Sequence, residues 1–227
     1  MPAFGLLGHE ELLFRNSRYD VMAERTRLET ANRPLENIYQ VHEGCLAMVV
    51  NLPCGRVHCP EIYTPGDIAP VIGLLPKDIS VELTAISNVK VRTVAREAAL
   101  ELLRAGAASK DWVFDLLESK VYWGEVRSIV TNFGDAGEKL AAVLAELWLR
   151  VKGACSHVPM GSVFPLPVRQ SHLSLLSGLS KAQVSRVFGL WTGSGMVQVA
   201  NDTLVILEPE FLVRAIDGLR GLVPCQR

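Results

Sequence analysis

The sequence predicts an α+β protein with an N-terminal jelly-roll-like β-barrel, a long helix and a C-terminal winged helix-turn-helix. Three observations predict it. Short β-branched segments separated by turn signals fill residues 38–94. A long apolar-periodic stretch follows at Asp111–Phe133. Two short helical patterns flank a glycine turn after residue 169, and a hairpin pattern comes next. The domain boundaries expected from these shifts are 1–108, 109–134 and 135–227.

Residues 1–35 read as one or two polar helices, His9–Asn16 among them. From Ile38 the character changes. Ile38–Val41, Cys45–Asn51, Val57–Tyr63, Val81–Ile86 and Val89–Val94 are short and rich in β-branched residues. Glu43-Gly44, Pro53-Cys54-Gly55, Pro65-Gly66-Asp67 and Ser87-Asn88 punctuate them. Several short strands at this spacing predict a small sandwich or barrel. Ala95–Gly106 then reads as a short helix.

Asp111–Phe133 is the longest helical stretch, with Ser109 as its expected N-cap. Trp112, Leu116, Ser119, Trp123, Val126, Val130 and Phe133 recur at alternating spacings of four and three. That is the seam of a coiled coil, so these seven residues are the expected dimer interface. Phe114, Leu117 and Val121 form a second stripe, which could pack on the barrel. Gly134-Asp135-Ala136-Gly137 breaks the helix, and Glu138–Lys152 starts another.

The chain has 227 residues, 49% of them hydrophobic, enough for one large or two ordinary domains with a sizeable core. Its formal net charge of −1 conceals an uneven distribution. No Asp or Glu occurs between Glu146 and Asp202, while Arg150, Lys152, Arg169, Lys181 and Arg186 lie there with His157 and His172. An acid-free, net-basic segment is the footprint of a polyanion partner. No secretory leader and no bilayer-spanning apolar run is read, so a soluble, cytoplasmic protein without membrane contact is expected. The cysteines number five and are scattered, which fits reduced thiols.

Gln170–Trp191 is the most informative segment. Gln170–Leu176 is helical, Ser177-Gly178-Leu179 is a turn, and Ser180 starts the next helix with Gln183 completing a capping box. Leu173, Leu179, Val184 and Val187 are spaced to form the small core of two crossing helices. In this plan the second helix enters the DNA major groove. Lys181, Gln183, Ser185 and Arg186 lie on its outer face. Arginine can grip guanine and glutamine adenine bidentately. Ser180, Lys181 and Arg169 suit contacts that position the protein on phosphates, and Gln170 and Ser171 are further expected DNA-binding residues. Met196–Ala200 and Thr203–Leu207 form a hairpin about Asn201-Asp202, the wing.

The order of parts resembles the Crp/Fnr family, the cyclic-AMP receptor protein and fumarate–nitrate regulator proteins. The resemblance covers residues 38–212. It rests on IYQVHEGCLAMVV, YTPGDIAPVIGLL, LPVRQSHLSLLSGLSKAQVSRVF and NDTLVILEPEFL, with VYWGEVRSIVTNFGDAGEKLAAVLAELWLRV as a dimer helix running into the DNA-binding domain. It implies a cyclic-nucleotide-binding-like barrel and a homodimer on a palindromic operator. It also implies RNA polymerase as a partner and no enzymatic activity. Members that bind cyclic nucleotides carry a Gly-Glu-Leu-type triplet after the Pro-Gly-Asp turn and a downstream arginine beside Ser or Thr. Here the triplet reads Pro70-Val71-Ile72, and Ile79 stands beside Ser80 where the arginine is expected. A cyclic phosphate then lacks its cation and the ribose its acceptor, so control by cyclic AMP or cyclic GMP in the usual mode is not expected. The effector pocket, if used, would lie at Ile68, Val71, Ile72 and Ser80. The recognition helix departs too, with Ala182 where members often have glutamate.

No cofactor and no metal are predicted. Residues 1–44 lack cysteine, which excludes the family's N-terminal iron–sulphur sensor. His42, Cys45, Cys54, His58 and Cys59 are the residues that haem, metal or thiol sensing would use. The alternative function is a cytosolic small-molecule-binding β-barrel whose C-terminal domain makes protein contacts only. No phosphate-cradling glycine loop and no nucleophile elbow supports an enzyme.

Overall fold

The computed structural model describes residues 11–77, 79–154, 164–200 and 203–216. The chain divides into two compact units, Met1–Lys120 and Val121–Arg227.

The first unit is built on two four-stranded antiparallel sheets. Its strands are β1 (Tyr19–Met22), β2 (Arg27–Glu29), β3 (Asn37–Glu43), β4 (Leu46–Asn51), β5 (Val57–Tyr63), β6 (Ile68–Ala69), β7 (Glu82–Ala85) and β8 (Val89–Ala95). One sheet runs β1-β8-β3-β6 and the other β2-β7-β4-β5. They are open sheets of a jelly-roll-like sandwich, not one closed hydrogen-bonded barrel. Tyr39 and Val41 of β3, Leu46 of β4, Tyr63 of β5, Leu83 of β7 and Val91 of β8 form a single buried core. The five strands expected after Ile38 are all present, within one or two residues.

The expectation of one or two helices over residues 1–35 holds at 11–14, inside His9–Asn16, and is corrected beyond it. Only residues 11–14 are helical among those described, and β1 and β2 follow. β1 is an exposed edge strand that pairs Tyr19 with Arg92 and Met22 with Val89. β2 pairs with β7. Strands this short take their order from their neighbours, so local periodicity carries no sign of them.

A second core closes the end of the sandwich. Phe14, Leu35, Ile38, Ile68, Val71 and Leu74 pack with Ala99, Leu100 and Leu103 of α1 (Arg96–Ala105) and with Trp112 and Val113 of α2 (Ala107–Phe133). Gly106 separates these helices, so α2 begins before Ser109, which is not its N-cap.

In the second unit α3 (Ala136–Ala154) is the central helix. Leu140 through Ala145, Leu147 and Trp148 are all buried. Around it stand α4 (Gln170–Ser177), α5 (Lys181–Gly193) and α6 (Glu210–Ala215), and β9 (Phe164–Leu166), β10 (Val197–Ala200) and β11 (Thr203–Ile206) form a sheet in the order β10-β11-β9. β9 lies within residues 153–167, a stretch rich in Gly, Pro and Ser that reads as a connector by composition. Asp135 caps α3: the Glu138 N–H donates to its Oδ1 at 2.8 Å, and Glu138 Oε2 accepts from the Asp135 N–H at 2.7 Å. Among the described residues no helix is long and apolar enough to cross a membrane.

Candidate nucleic-acid interface

The helix-turn-helix is assembled by a few local bonds. α4 ends where Gly178 takes φ 71°, a left-handed conformation that glycine adopts without a Cβ penalty. Two buried serines tie the turn. The Ser174 hydroxyl donates to the Leu179 carbonyl at 2.6 Å, and the Ser177 hydroxyl to the Leu173 carbonyl at 2.7 Å. Serine in a helix reads as surface from sequence, so the pattern marks neither as a turn-holding residue. Leu173, Leu179, Val184 and Val187 are buried as expected.

α5 starts with the expected capping box. The Gln183 N–H donates to Ser180 Oγ at 3.3 Å, while Gln183 Oε1 accepts from the Ser180 N–H at 2.9 Å and its hydroxyl at 2.8 Å. This occupies the oxygen that a bidentate adenine contact requires. Phe188 and Trp191 back the helix, with Trp191 edge-on to Phe188 at 5.6 Å and to Phe211 of α6 at 5.0 Å.

The outer face of α5 carries Lys181, Ala182, Gln183, Ser185 and Arg186, all exposed. Lys181 and Arg186 have no ion-pair partner among the described residues. Arg169, Gln170 and Ser171 come together at the start of α4. They line an open cleft of about 280 Å³ with Val199 of the wing and Phe188. The Arg169 N–H donates to His172 Nδ1 at 3.3 Å, which closes this helix start. The wing's inner residues Val197, Leu204 and Ile206 are buried. Its expected turn, Asn201-Asp202, lies outside the described residues.

The expected dimer seam is corrected. Trp112, Trp123, Val126 and Val130 are buried within the single chain, and Leu116 is half-buried. Ser119 is exposed and Phe133 is 85% exposed. The second stripe is the outward one: Phe114 is 68% and Val121 65% exposed, with Leu117 half-buried. Both stripes satisfy the same periodicity. The chain's own cores take the two large indoles, because those fill the most volume.

The four effector candidates do not converge. Ile68 and Val71 are core residues, Ile72 points outward, and Ser80 lines an open groove on the β2-β7-β4 side. The turn after Pro70 is held by Arg96, a buried residue the sequence did not single out. Its guanidinium donates to the carbonyls of Gly73 at 2.9 Å, Leu75 at 3.0 Å and Lys77. Gly73 lies so close to Leu35 and Ile38 that a Cβ there would stand 2.5–2.6 Å from their side chains.

The candidate sensing residues are likewise apart. Cys45 is fully buried, and the buried Cys59 thiol donates to the Glu61 carbonyl at 3.3 Å. Cys54 is exposed on a turn, where a hydrogen bond from Arg56 holds its thiol below the usual range. His58 is exposed. His42 stacks edge-on to Tyr19 at 4.7 Å and bonds to Gln40. Among the described residues no three His, Cys, Asp or Glu side chains are grouped to hold a metal ion.

Fold and site define a winged helix-turn-helix domain that follows a jelly-roll-like sandwich in the chain. Residues 138–215 match the Crp-like helix-turn-helix domain. The chain superposes on FixK2 from Bradyrhizobium japonicum at 17% identity and TM-score 0.71, covering 88% of this chain and 96% of that one. It also superposes on a Crp-family transcriptional regulator from Thermus thermophilus at 16% identity and TM-score 0.62, covering 87% and 96%. A third neighbour is CLP of Xanthomonas campestris, a c-di-GMP-responsive global regulator, at 18% identity and TM-score 0.59, covering 89% and 99%. No curated protein sequence matches the chain. The domain match covers residues 138–215, and over the rest of the chain the likeness to these solved regulators is one of fold.

Proposed function

We propose that the chain is a homodimer that binds a two-fold DNA operator through α5 and recruits or blocks RNA polymerase there, without control by a cyclic nucleotide in the usual mode. The observation that carries this reading is the capped helix α5. It buries Val184, Val187 and Phe188 and exposes Lys181, Ser185 and Arg186 on a segment free of acidic residues. Arg186 is the base reader, and Lys181, Arg169, Gln170, Ser171 and Ser180 meet phosphates. Gln183 acts as a cap.

The dimer seam proposed is Phe114, Leu117, Val121, Gly124 and Ser128, spaced alternately by three and four along one helix. Phe114 and Val121 expose large apolar surface, Ser128 is exposed, and Gly124 has open space where a Cβ would stand.

The test is a selection of duplexes from a random-sequence pool with the full-length protein, followed by titration. A palindromic consensus bound more tightly than scrambled DNA is expected; equal binding to both would refute sequence reading. Titration calorimetry with cyclic AMP should give no saturable heat, since Val71 and Ile79 stand where a carboxylate and a guanidinium would be needed. A low-micromolar isotherm would contradict that part of the proposal.

A further inference from the structure

The outer face of α5 has a pattern that Arg186 alone does not account for. Ala182, Ser185, Arg186 and Gly189 are all exposed, and their spacing puts them on one stripe. That stripe carries a single long side chain. One turn before Arg186 stands a bare methyl group, Ala182. Beyond Arg186 stands Gly189, where nothing lies within 4 Å of the place a Cβ would occupy. Such a stripe lets the helix backbone come close to the floor of a groove. No residue of α5 is acidic, so the helix has no carboxylate to accept from the cytosine amino group. Gln183, the neighbouring amide, is engaged by Ser180. A methyl group offers no hydrogen bond, and its complement on a base edge is the C5-methyl of thymine.

We propose that Ala182 is a specificity-determining residue that packs on a thymine methyl in each half-site. Four residues of helix rise about 6 Å, and bases on one strand are spaced by about 3.4 Å. The thymine therefore lies about two base steps from the guanine held by Arg186. The inference rests on the DNA reading proposed above.

The experiment uses the full-length protein and its selected operator, with each half-site thymine replaced in turn by uracil. Uracil pairs identically and lacks only the methyl. One position per half-site should lose about fourfold in affinity, the effect of burying one methyl group. Ala182→Gly should bind the thymine and uracil operators alike, and Ala182→Glu should shift preference at that position to cytosine. Circular dichroism checks that both variants keep the helix, and the wild-type comparison needs no variant. Tolerance of uracil at every position would overturn the role of Ala182. So would a methyl preference that survives in Ala182→Gly. If Arg186→Ala still relaxes one guanine in those cases, the DNA reading stands alone. Absence of any selected sequence would overturn both.

Discussion

At the scale of single residues, α5 separates three kinds of side chain that look alike in a sequence. Lys181, Gln183 and Arg186 are all exposed and polar, yet the proposed DNA reading gives each a different task. If Arg186 grips a guanine edge, Arg186→Ala should cost about 1–3 kcal/mol and relax preference at one base pair per half-site. Lys181→Ala should weaken all sequences alike and reduce the salt slope by about one for each phosphate that the lysine neutralises. Gln183→Ala should leave base discrimination intact and lower the melting temperature, because it removes the cap on Ser180, worth about 1 kcal/mol. Titration of the three variants against single-base operator variants at two salt concentrations, with thermal melts, separates the roles. Loss of discrimination in Gln183→Ala would return that residue to base reading.

At the scale of elements, charge acts at two places in the fold. Glu146 of α3 is 2% exposed and pairs with Arg127 of α2 at 2.9 Å and Arg150 at 3.8 Å. Arg127→Ala strands a buried carboxylate with one distant partner and should cost about 3 kcal/mol, the low end for breaking such a pair. Arg127→Ala with Glu146→Leu should recover most of that loss in urea unfolding; failure to recover would mean that Arg127 acts through packing. In the first unit, His42 of β3 lies beside Arg92 and Lys90. Burial, and then those two cations, hold its pKa below 6.5. A depressed histidine contributes stability that is present above its ordinary value and lost as pH falls through the folded one. Unfolding should therefore become easier on acidification below about 6.5, and His42→Gln should flatten that dependence. An unchanged slope in the variant would assign the acid sensitivity elsewhere.

At the scale of the whole molecule, the two stripes of α2 predict opposite outcomes for similar substitutions. Val121 is 65% exposed and Val126 is 1% exposed. Val121→Glu should leave the monomer folded, within about 0.5 kcal/mol, and abolish the dimer in light scattering. Operator affinity should fall with it, because two half-sites are no longer linked. Val126→Glu buries an unpaired charge and should unfold the chain before it tells anything about assembly. A dimer that survives Val121→Glu would place the seam on another surface.

Much of this architecture is legible in the chain itself. The turn signals and β-branched runs mark β3, β4, β5, β7 and β8, because each is long enough to show its own alternation. The Ser180–Gln183 box and Gly178 mark the helix-turn-helix, because capping and positive φ are local properties of a few adjacent residues. That Val71 and Ile79 stand where cyclic-nucleotide binders of the family it resembles carry Glu and Arg is read from the resemblance. Tertiary structure alone decided the rest. β1 and β2 exist because β8 and β7 offer unpaired backbone, and Arg96 became a staple because three carbonyls converge on it. The two stripes of α2 have the same spacing, and periodicity cannot say which one a core will claim. That choice depends on the volume to be filled around Trp112, a sum over residues far apart in sequence. It leaves Phe114 and Val121 outside.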